Sequence, residues 1–367
     1  MFPAAVYSRA WADEQRQGLG NCDPSLLEKC VYALTLLGHL AESGLPFMFK
    51  GGTSLLLQLP TIRRLSIDID IVSPAADAEL ERVVAAIGRQ APFIRAEEDR
   101  RGESHAREPL PRRRHFKFWF RTGRAPGGEA GVLLDVVQET HCPHQTVSRP
   151  IRTAFLTPDR EIPVTLPTVE SLLGDKLTAF APATTGVRLR RADGTEGEVM
   201  QVAKQLFDVG VLFEHASDFA EVGRVYDGVQ AQEAGYRGHA HTREATLADT
   251  FNACLGVTGS KRVQQAHYSD TALLLSGFRK LGGHLTWPRF GDDDRRILAA
   301  RAAVLAAHLR AGQNFDFATA RYTGSPEQIA ALRAATLNGT PYAWLDNLKA
   351  VNPEAYHYWL MAITALA

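Results

Sequence analysis

The sequence predicts an α+β protein: a mixed β-sheet flanked by helices, followed by a mostly helical C-terminal domain. Two observations lead to this prediction. Short strand-like runs alternate with amphipathic helices up to about residue 166. From Pro167 onward, helical spacing of apolar residues prevails. A chain of 367 residues is long enough for two domains, and we expect a catalytic domain at 1–166 and a helical domain at 167–367 that completes its site.

Turn and cap residues set the bounds of the predicted elements. Asp23 can cap a helix that has Pro24 at its first position. Gly51-Gly52 interrupts the chain between a short strand and a brief helix. The predicted elements are helices at 23–44, 53–59, 76–87, 168–180, 199–214, 293–310 and 326–337, and strands at 47–50, 66–73, 115–121 and 131–138. Residues 96–114, between two of these elements, read as a loop or hairpin tip.

Composition limits the function classes. Acidic and basic side chains number 41 each, so no global field indicates a nucleic-acid partner, and such a contact requires a local patch. Four scattered cysteines without a C-x-x-C pair argue against a zinc site or a disulfide framework. No apolar run reaches the roughly 18 residues of a membrane span, and the N-terminal residues lack the apolar run that a signal peptide has. We expect a cytoplasmic protein.

Polar residues alternate along the strand at 66–73. Ser66, Asp68 and Asp70 therefore share one face of it. Paired carboxylates repel each other and lose hydration unless a cation is present, and Mg²⁺ takes oxygen ligands of this kind. Ser66 is a candidate to hydrogen-bond a metal-bound water or a phosphate. The alternative, a solvated strand end, explains this stretch nearly as well when it is taken alone.

A third acid, Asp135, lies in the middle of the near-continuous apolar run GVLLDVVQ at 131–138. A strand of this composition predicts burial, so Asp135 needs a partner. Three acids on two neighbouring strands match the requirement of two-metal phosphoryl or nucleotidyl transfer.

The Gly51-Gly52 turn supplies a candidate phosphate site. Glycine allows φ > 0 and a close approach of backbone to an anion. The amides of Thr53 and Ser54, at the start of the predicted helix, would then point at the anion.

Lys176 lies in the apolar stripe of the predicted helix at 168–180, whereas Asp175 lies on the face predicted to be solvent-exposed. A lysine directed inward either snorkels to solvent, forms a structural ion pair or binds a triphosphate. Asp208 lies in a helix that is apolar on nearly all sides. It either pairs with Lys204 at i, i+4 or is held near Lys176, orienting that lysine or the attacking group.

The loop at 96–114 is rich in arginine. This charge run is either a solvated loop or a basic lip that holds the phosphates of a polynucleotide. Its arginines are Arg100, Arg101, Arg107, Arg112, Arg113 and Arg114.

Together these residues resemble the AbiEii / MenT group of nucleotidyltransferase toxins, within the DNA polymerase β-like superfamily. The resemblance rests on K-G-G-T-S-L at 50–55 and R-x-S-x-D-x-D at 64–70. Asp135, G-D-K-L at 174–177 and L-F-D at 206–208 extend it over roughly residues 25–215.

The resemblance implies a minimal nucleotidyltransferase core and Mg²⁺-dependent transfer of a nucleotide from NTP. It also implies a toxin in a type IV-like toxin–antitoxin or phage-defence pair, with an AbiEi-like antitoxin partner and the 3′ end of tRNA as acceptor. It implies that Asp68 and Asp70 bind the metal, with Asp135 as an auxiliary ligand. It implies that Gly51, Gly52 and Thr53 bind the triphosphate, together with Arg64 or Lys176. Ser66 and Asp208 match motif positions that the family needs for activity.

Two other functions fit the same residues. The first is a nucleotidyltransferase that acts on a protein or a small molecule. The second is a catalytically inactive core that senses NTP or binds a partner; the complete acid pair and Lys176 argue against it.

Overall fold

A computed structural model describes residues 1–20, 22–99, 111–140, 142–259 and 268–367. Arg100, Arg101 and Arg107 of the arginine-rich loop lie outside these ranges. The chain forms two compact units. The first comprises Met1–Thr168 together with Gly283–Pro288, and the second comprises Val169–Gly282 and Arg289–Ala367.

The first unit is built on a five-stranded sheet. Its strands are β1 (Met48–Lys50), β2 (Asp68–Ser73), β3 (Phe93–Glu98), β4 (Arg112–Arg121) and β5 (Glu129–Gln138). The order across the sheet is β1-β2-β5-β4-β3, and β2 and β5 are parallel while the other pairs are antiparallel. A separate hairpin pairs β6 (Thr146–Pro150) with β7 (Pro163–Pro167). The predicted mixed sheet is confirmed, although β3 falls partly in the stretch predicted as a loop.

In the part of this unit that the structure describes, four α-helices accompany the sheet: α1 (Arg9–Gly18), α2 (Pro24–Glu42), α3 (Gly51–Gln58) and α4 (Asp77–Ile87). The predicted cap of α2 is confirmed, because the Asp23 carboxylate accepts a hydrogen bond from the backbone N–H of Ser25 at 2.8 Å. The start of α3 directly after β1 brings the Gly-Gly pair to the first turn of a helix.

The two faces of the sheet differ in burial. Alternate residues of the three central strands form the core with α2 and α4, and they are at most 2% exposed: Ile69, Ile71, Val132, Leu134, Val136, Phe116, Phe118 and Phe120. The residues that alternate with them are only half-buried: Asp68 and Asp70 on β2, and Leu133, Asp135 and Val137 on β5. One face of the sheet is thus a hydrophobic core, and the other face remains open enough for polar chemistry.

The regular elements described in the second unit are helices, apart from an isolated β-bridge between Arg190 and Glu196. Its helices are α5 (Val169–Ala179), α6 (Val199–Leu212), α7 (Phe219–Tyr236), α8 (Arg243–Thr258), α9 (Thr271–Leu281), α10 (Asp292–Ala311), α11 (Phe317–Ala320), α12 (Pro326–Ala334), α13 (Leu348–Val351) and α14 (Pro353–Leu366). Every residue of α10 from Leu298 to Leu309 is buried, which makes α10 the central helix, packed against α6, α8 and α14. The four helices predicted here are confirmed to within a few residues. None of the helices in the described ranges combines the length and apolar character needed to cross a membrane.

The short segment Gly283–Pro288 belongs to the first unit although it follows most of the second in sequence. The backbone N–H of Leu65 donates to the carbonyl of His284 at 2.7 Å, and that of Thr286 donates to the carbonyl of Arg63 at 3.0 Å. This segment therefore pairs with the stretch of chain that leads into β2.

Candidate active site

Four polar residues form one row across the open face of the sheet. In the strand register, Asp70 of β2 lies opposite Lys50 of β1 on one side and opposite Asp135 of β5 on the other. Asp135 in turn lies opposite His115 of β4. Residues directly opposite each other on neighbouring strands share a face and have neighbouring side chains. The sheet therefore brings two of the predicted acids into one row, with Asp68 two residues before Asp70 on the same face.

Gly51 seats the carboxylate of Asp70. Gly51 has φ +78°, a conformation that side-chain-bearing residues rarely adopt. A Cβ atom on Gly51 would overlap Oδ2 of Asp70 and lie 2.6 Å from its Cγ. The absence of a side chain here lets the carboxylate lie directly against the helix start, in a cradle that alanine would fill.

Gly52 leaves space for the side chains of two further predicted site residues. A Cβ atom on Gly52 would collide with the guanidinium of Arg64 and lie 3.1 Å from Oγ of Ser66. Both side chains are buried, each 6% exposed. Ser66 precedes β2 rather than lying within it, which corrects the predicted extent of the strand. The Gly-Gly turn thus brings together a carboxylate, a guanidinium and a hydroxyl at the first turn of α3.

Thr53 has a structural contact that the sequence did not predict. Its hydroxyl donates to the backbone carbonyl of Asp68 at 2.5 Å, and the side chain is fully buried. The Ser54 hydroxyl similarly donates to the carbonyl of Gly51 at 2.7 Å. These hydroxyls tie α3 to β2 and to its own first turn, so backbone amides rather than the Thr53 side chain are the groups suited to bind an anion here.

The prediction that Asp135 is buried is wrong. Its side chain is 34% exposed because it alternates with Leu134 and Val136, which face the core. Its Oδ1 lies 2.7 Å from Nδ1 of His115, whose side chain is 42% exposed. Sequence reasoning missed His115. The alternation of HFKFWFR indicates its strand, but the register that pairs it with Asp135 depends on contacts between strands.

The donor set fits a hard divalent cation. Mg²⁺ commonly binds one or two carboxylates and takes its remaining oxygens from water and phosphate. Asp70, which lies against Gly51, and Asp68, on the same face of β2, supply such carboxylates. Among the described residues, no group of three or more His, Cys, Asp or Glu side chains is arranged to hold a metal ion. Asp135 is hydrogen-bonded to His115 and, in this arrangement, is not a third direct ligand beside Asp68 and Asp70.

In the second unit, Lys176 of α5 faces Asp208 of α6. Lys176 Nζ lies 3.3 Å from Asp208 Oδ2, and the two side chains are 10% and 1% exposed. The predictions that Lys176 is directed inward and that Asp208 lies near it are confirmed. Gly174 allows α5 to pack closely on α7, since a Cβ there would lie 2.7 Å from the carbonyl oxygen of Val222. The desolvation of a buried ion pair can cost more free energy than the attraction between its charges returns, so this pair is weak evidence for a purely stabilising role.

At the described end of the arginine-rich stretch, Arg112 and Arg114 do not support the basic-lip alternative. Arg114 is 6% exposed on the core-facing side of β4 and is paired with Glu98 at 2.7 Å and Glu81 at 3.0 Å. Arg112 is paired with Asp77. Each of these two guanidiniums therefore already has acidic partners within its own unit.

Comparisons with known proteins identify the family. Residues 35–271 match the family model described as "Nucleotidyl transferase AbiEii toxin, Type IV TA system". No curated protein matches the chain significantly. Among solved structures, the chain is similar to "Crystal structure of putative nucleotidyltransferase from H. pylori", with 15% identity, coverage of 77% of this chain and 92% of that chain, and a TM-score of 0.39. Since the family match spans more than half of the chain, the protein belongs to the AbiEii family of nucleotidyltransferase toxins.

Proposed function

We propose that this toxin transfers a nucleotide from an NTP to the 3′ end of tRNA, and that it does so with Mg²⁺. The observation that carries the proposal is the placement of Asp70 in the Gly51 cradle at the start of α3. A carboxylate that binds a divalent cation then lies beside backbone amides that suit a phosphate, which is the pairing that NTP–Mg²⁺ requires.

In this mechanism the residues of the first unit bind and orient the NTP. Asp68 and Asp70 bind the cation, and the amides at the Gly51-Gly52 turn hold the phosphates. Arg64, seated against Gly52, offsets the negative charge that develops as pyrophosphate leaves. A Mg²⁺ ion held by these carboxylates would lower the pKa of the attacking hydroxyl and offset the charge of the leaving pyrophosphate. Holding the NTP and the acceptor hydroxyl in line supplies the proximity contribution.

Lys176 is proposed as a triphosphate-binding residue and Asp208 as the carboxylate that orients it. The support is their burial and their separation of 3.3 Å. A buried carboxylate already holds this lysine in place. The lysine therefore loses less rotamer entropy when it binds an anion than a free surface lysine does.

The proposed system is a type IV-like toxin–antitoxin or phage-defence pair in the cytoplasm, with an AbiEi-like antitoxin protein. The family supports an antitoxin partner. Co-expression gives the test: the toxin alone should arrest growth, and the protein encoded beside it should restore growth. Continued growth with the toxin alone would contradict the proposal.

A labelling experiment tests the activity. The purified protein is incubated with each of the four NTPs, labelled at the α-phosphate, and with separate pools of tRNA, protein and small metabolites. We expect label in tRNA in the presence of Mg²⁺ and none with EDTA. Asp68→Asn should abolish incorporation, whereas Asp13→Asn, which changes an exposed carboxylate of the same unit, should not.

The other outcomes discriminate the alternatives. Label in the protein or metabolite pool would replace tRNA as the acceptor while retaining nucleotidyl transfer. NTP binding in a calorimeter without label in any pool would favour an NTP-sensing module. Full activity of Asp68→Asn would refute the assignment of the metal site.

A further inference from the structure

His115 occupies a position that the fold does not require. Its neighbours along β4, Arg114 and Phe116, face the core, while His115 lies on the open face with 42% of its side chain exposed. An exposed imidazole–carboxylate contact contributes little to stability. The position of His115 at the end of the acid row, directly opposite Asp135, therefore calls for another explanation.

The hydrogen bond between these residues has a definite direction. An ionised carboxylate only accepts hydrogen bonds, so the hydrogen lies on Nδ1 of His115 and is donated to Oδ1 of Asp135. The bond occupies one carboxylate oxygen and holds the side chain in one rotamer. Within the described ranges this is the hydrogen bond that the structure gives Asp135, so the second oxygen remains for another ligand.

We propose that His115 is a positioning residue of the cation site: it orients Asp135 so that Oδ2 faces the hydration shell of the cation bound by Asp68 and Asp70. This inference rests on the proposed function, because it assumes that the acid row binds a divalent cation. The row supports it, since Asp135 lies opposite Asp70 in the register of β2 and β5. Residues that fix a metal-site carboxylate typically contribute 10- to 100-fold to metal affinity.

Charge offers a different explanation for the same contact. A protonated imidazole would offset the repulsion between Asp70 and Asp135 without orienting either carboxylate. Asparagine separates the two explanations, because its amide places a neutral donor close to the position of Nδ1. Leucine at the same position removes the donor and keeps a similar volume.

The experiment measures Mn²⁺ binding by electron paramagnetic resonance, without nucleotide, for the wild type, His115→Leu and His115→Asn. We expect a 10- to 100-fold loss of affinity for His115→Leu and recovery to within a few-fold of the wild type for His115→Asn. Lys117→Leu, a change on the same face of β4, should leave the affinity unchanged. Thermal unfolding without metal should be similar for all four proteins.

The outcomes distinguish a failure of the role of His115 from a failure of the cation site. Wild-type affinity in His115→Leu would overturn the role of His115 while leaving the cation site intact. Equal losses in His115→Leu and His115→Asn would overturn positioning in favour of charge. A wild-type protein that binds no Mn²⁺, or binds it no better than Asp68→Asn, would overturn the cation dependence of the proposed function and the role of His115 with it.

Discussion

Substituting Gly51 by alanine should separate the stability of the fold from the activity of the site. The glycine has φ +78°, and its missing Cβ is the space that the Asp70 carboxylate occupies. Alanine at this position adds two strains at once: an unfavourable backbone conformation and a displaced carboxylate. Gly44 provides the matched control, because it has the same φ of +78° but no atom within 4 Å of the Cβ position.

The expected magnitudes follow from these two strains. A left-handed conformation costs a residue with a Cβ about 1–2 kcal/mol. Moving the Asp70 side chain out of its rotamer adds about 0.5–1.5 kcal/mol. Gly44→Ala should therefore lose about 1–2 kcal/mol of unfolding free energy and Gly51→Ala about 1.5–3.5 kcal/mol. For a unit of this size, each kcal/mol lowers the melting temperature by about 2–4 °C.

Activity should distinguish the two variants far more sharply than stability. A displacement of about 1 Å at a reacting group can lower the rate on the order of 100-fold, so Gly51→Ala should lose at least that much nucleotidyl transfer. Gly44→Ala should transfer nucleotide at the wild-type rate at a temperature where it is fully folded. The measurement is single-turnover incorporation of α-labelled NTP beside thermal unfolding. Wild-type activity in Gly51→Ala, or an equal loss in both variants, would refute the seating of Asp70 by Gly51.

Three further predictions concern the second unit. Either Lys176→Met or Asp208→Leu alone should destabilise the protein by about 3–5 kcal/mol, because the other charge stays buried; the double variant should recover stability in urea unfolding without recovering activity. Arg301→Met should lower the free energy of unfolding by a similar amount, because it removes the buried guanidinium that two glutamates contact at 2.7 Å. Lys280→Met, at an exposed ion pair, should lower it by at most about 1 kcal/mol. Burial lowers the pKa of the His308 imidazole, so the unfolded chain binds the proton more readily, and stability should fall as the pH drops below about 6.5. The melting temperature of His308→Asn should change less than that of the wild type between pH 7.5 and pH 5, and an equal change would contradict the assignment.

Much of the fold could be predicted because its signals are local. The cap at Asp23, the Gly51-Gly52 break and the apolar stripe around Lys176 each involve residues within one or two turns of each other. Strand β3 was missed for the opposite reason. Its sequence FIRAEE carries Arg95 and two glutamates, which resemble the loop that follows, and it is stabilised by pairing with β4.

The candidate site was predictable where spacing alone places the residues. Alternation puts Asp68 and Asp70 on one face whatever the neighbouring strands are. The exposure of Asp135 was not predictable from its apolar neighbours, because Leu133 and Val137 lie on the open face with it and give the strand the composition of one buried on both sides. The partner of Asp135, His115, required the register between β4 and β5.

The segment Gly283–Pro288 makes the order of synthesis matter for this toxin. N-terminal units generally begin to fold during translation, but the stretch carrying Arg64 pairs with backbone that exists only once residue 286 has been made. A nascent chain, or a product of premature termination between residues 168 and 283, lacks that pairing and should leave Arg64 without its support. The pairing next to Arg64 can therefore form only after α9 has been made, and products that end before residue 283 should lack nucleotidyl transfer activity.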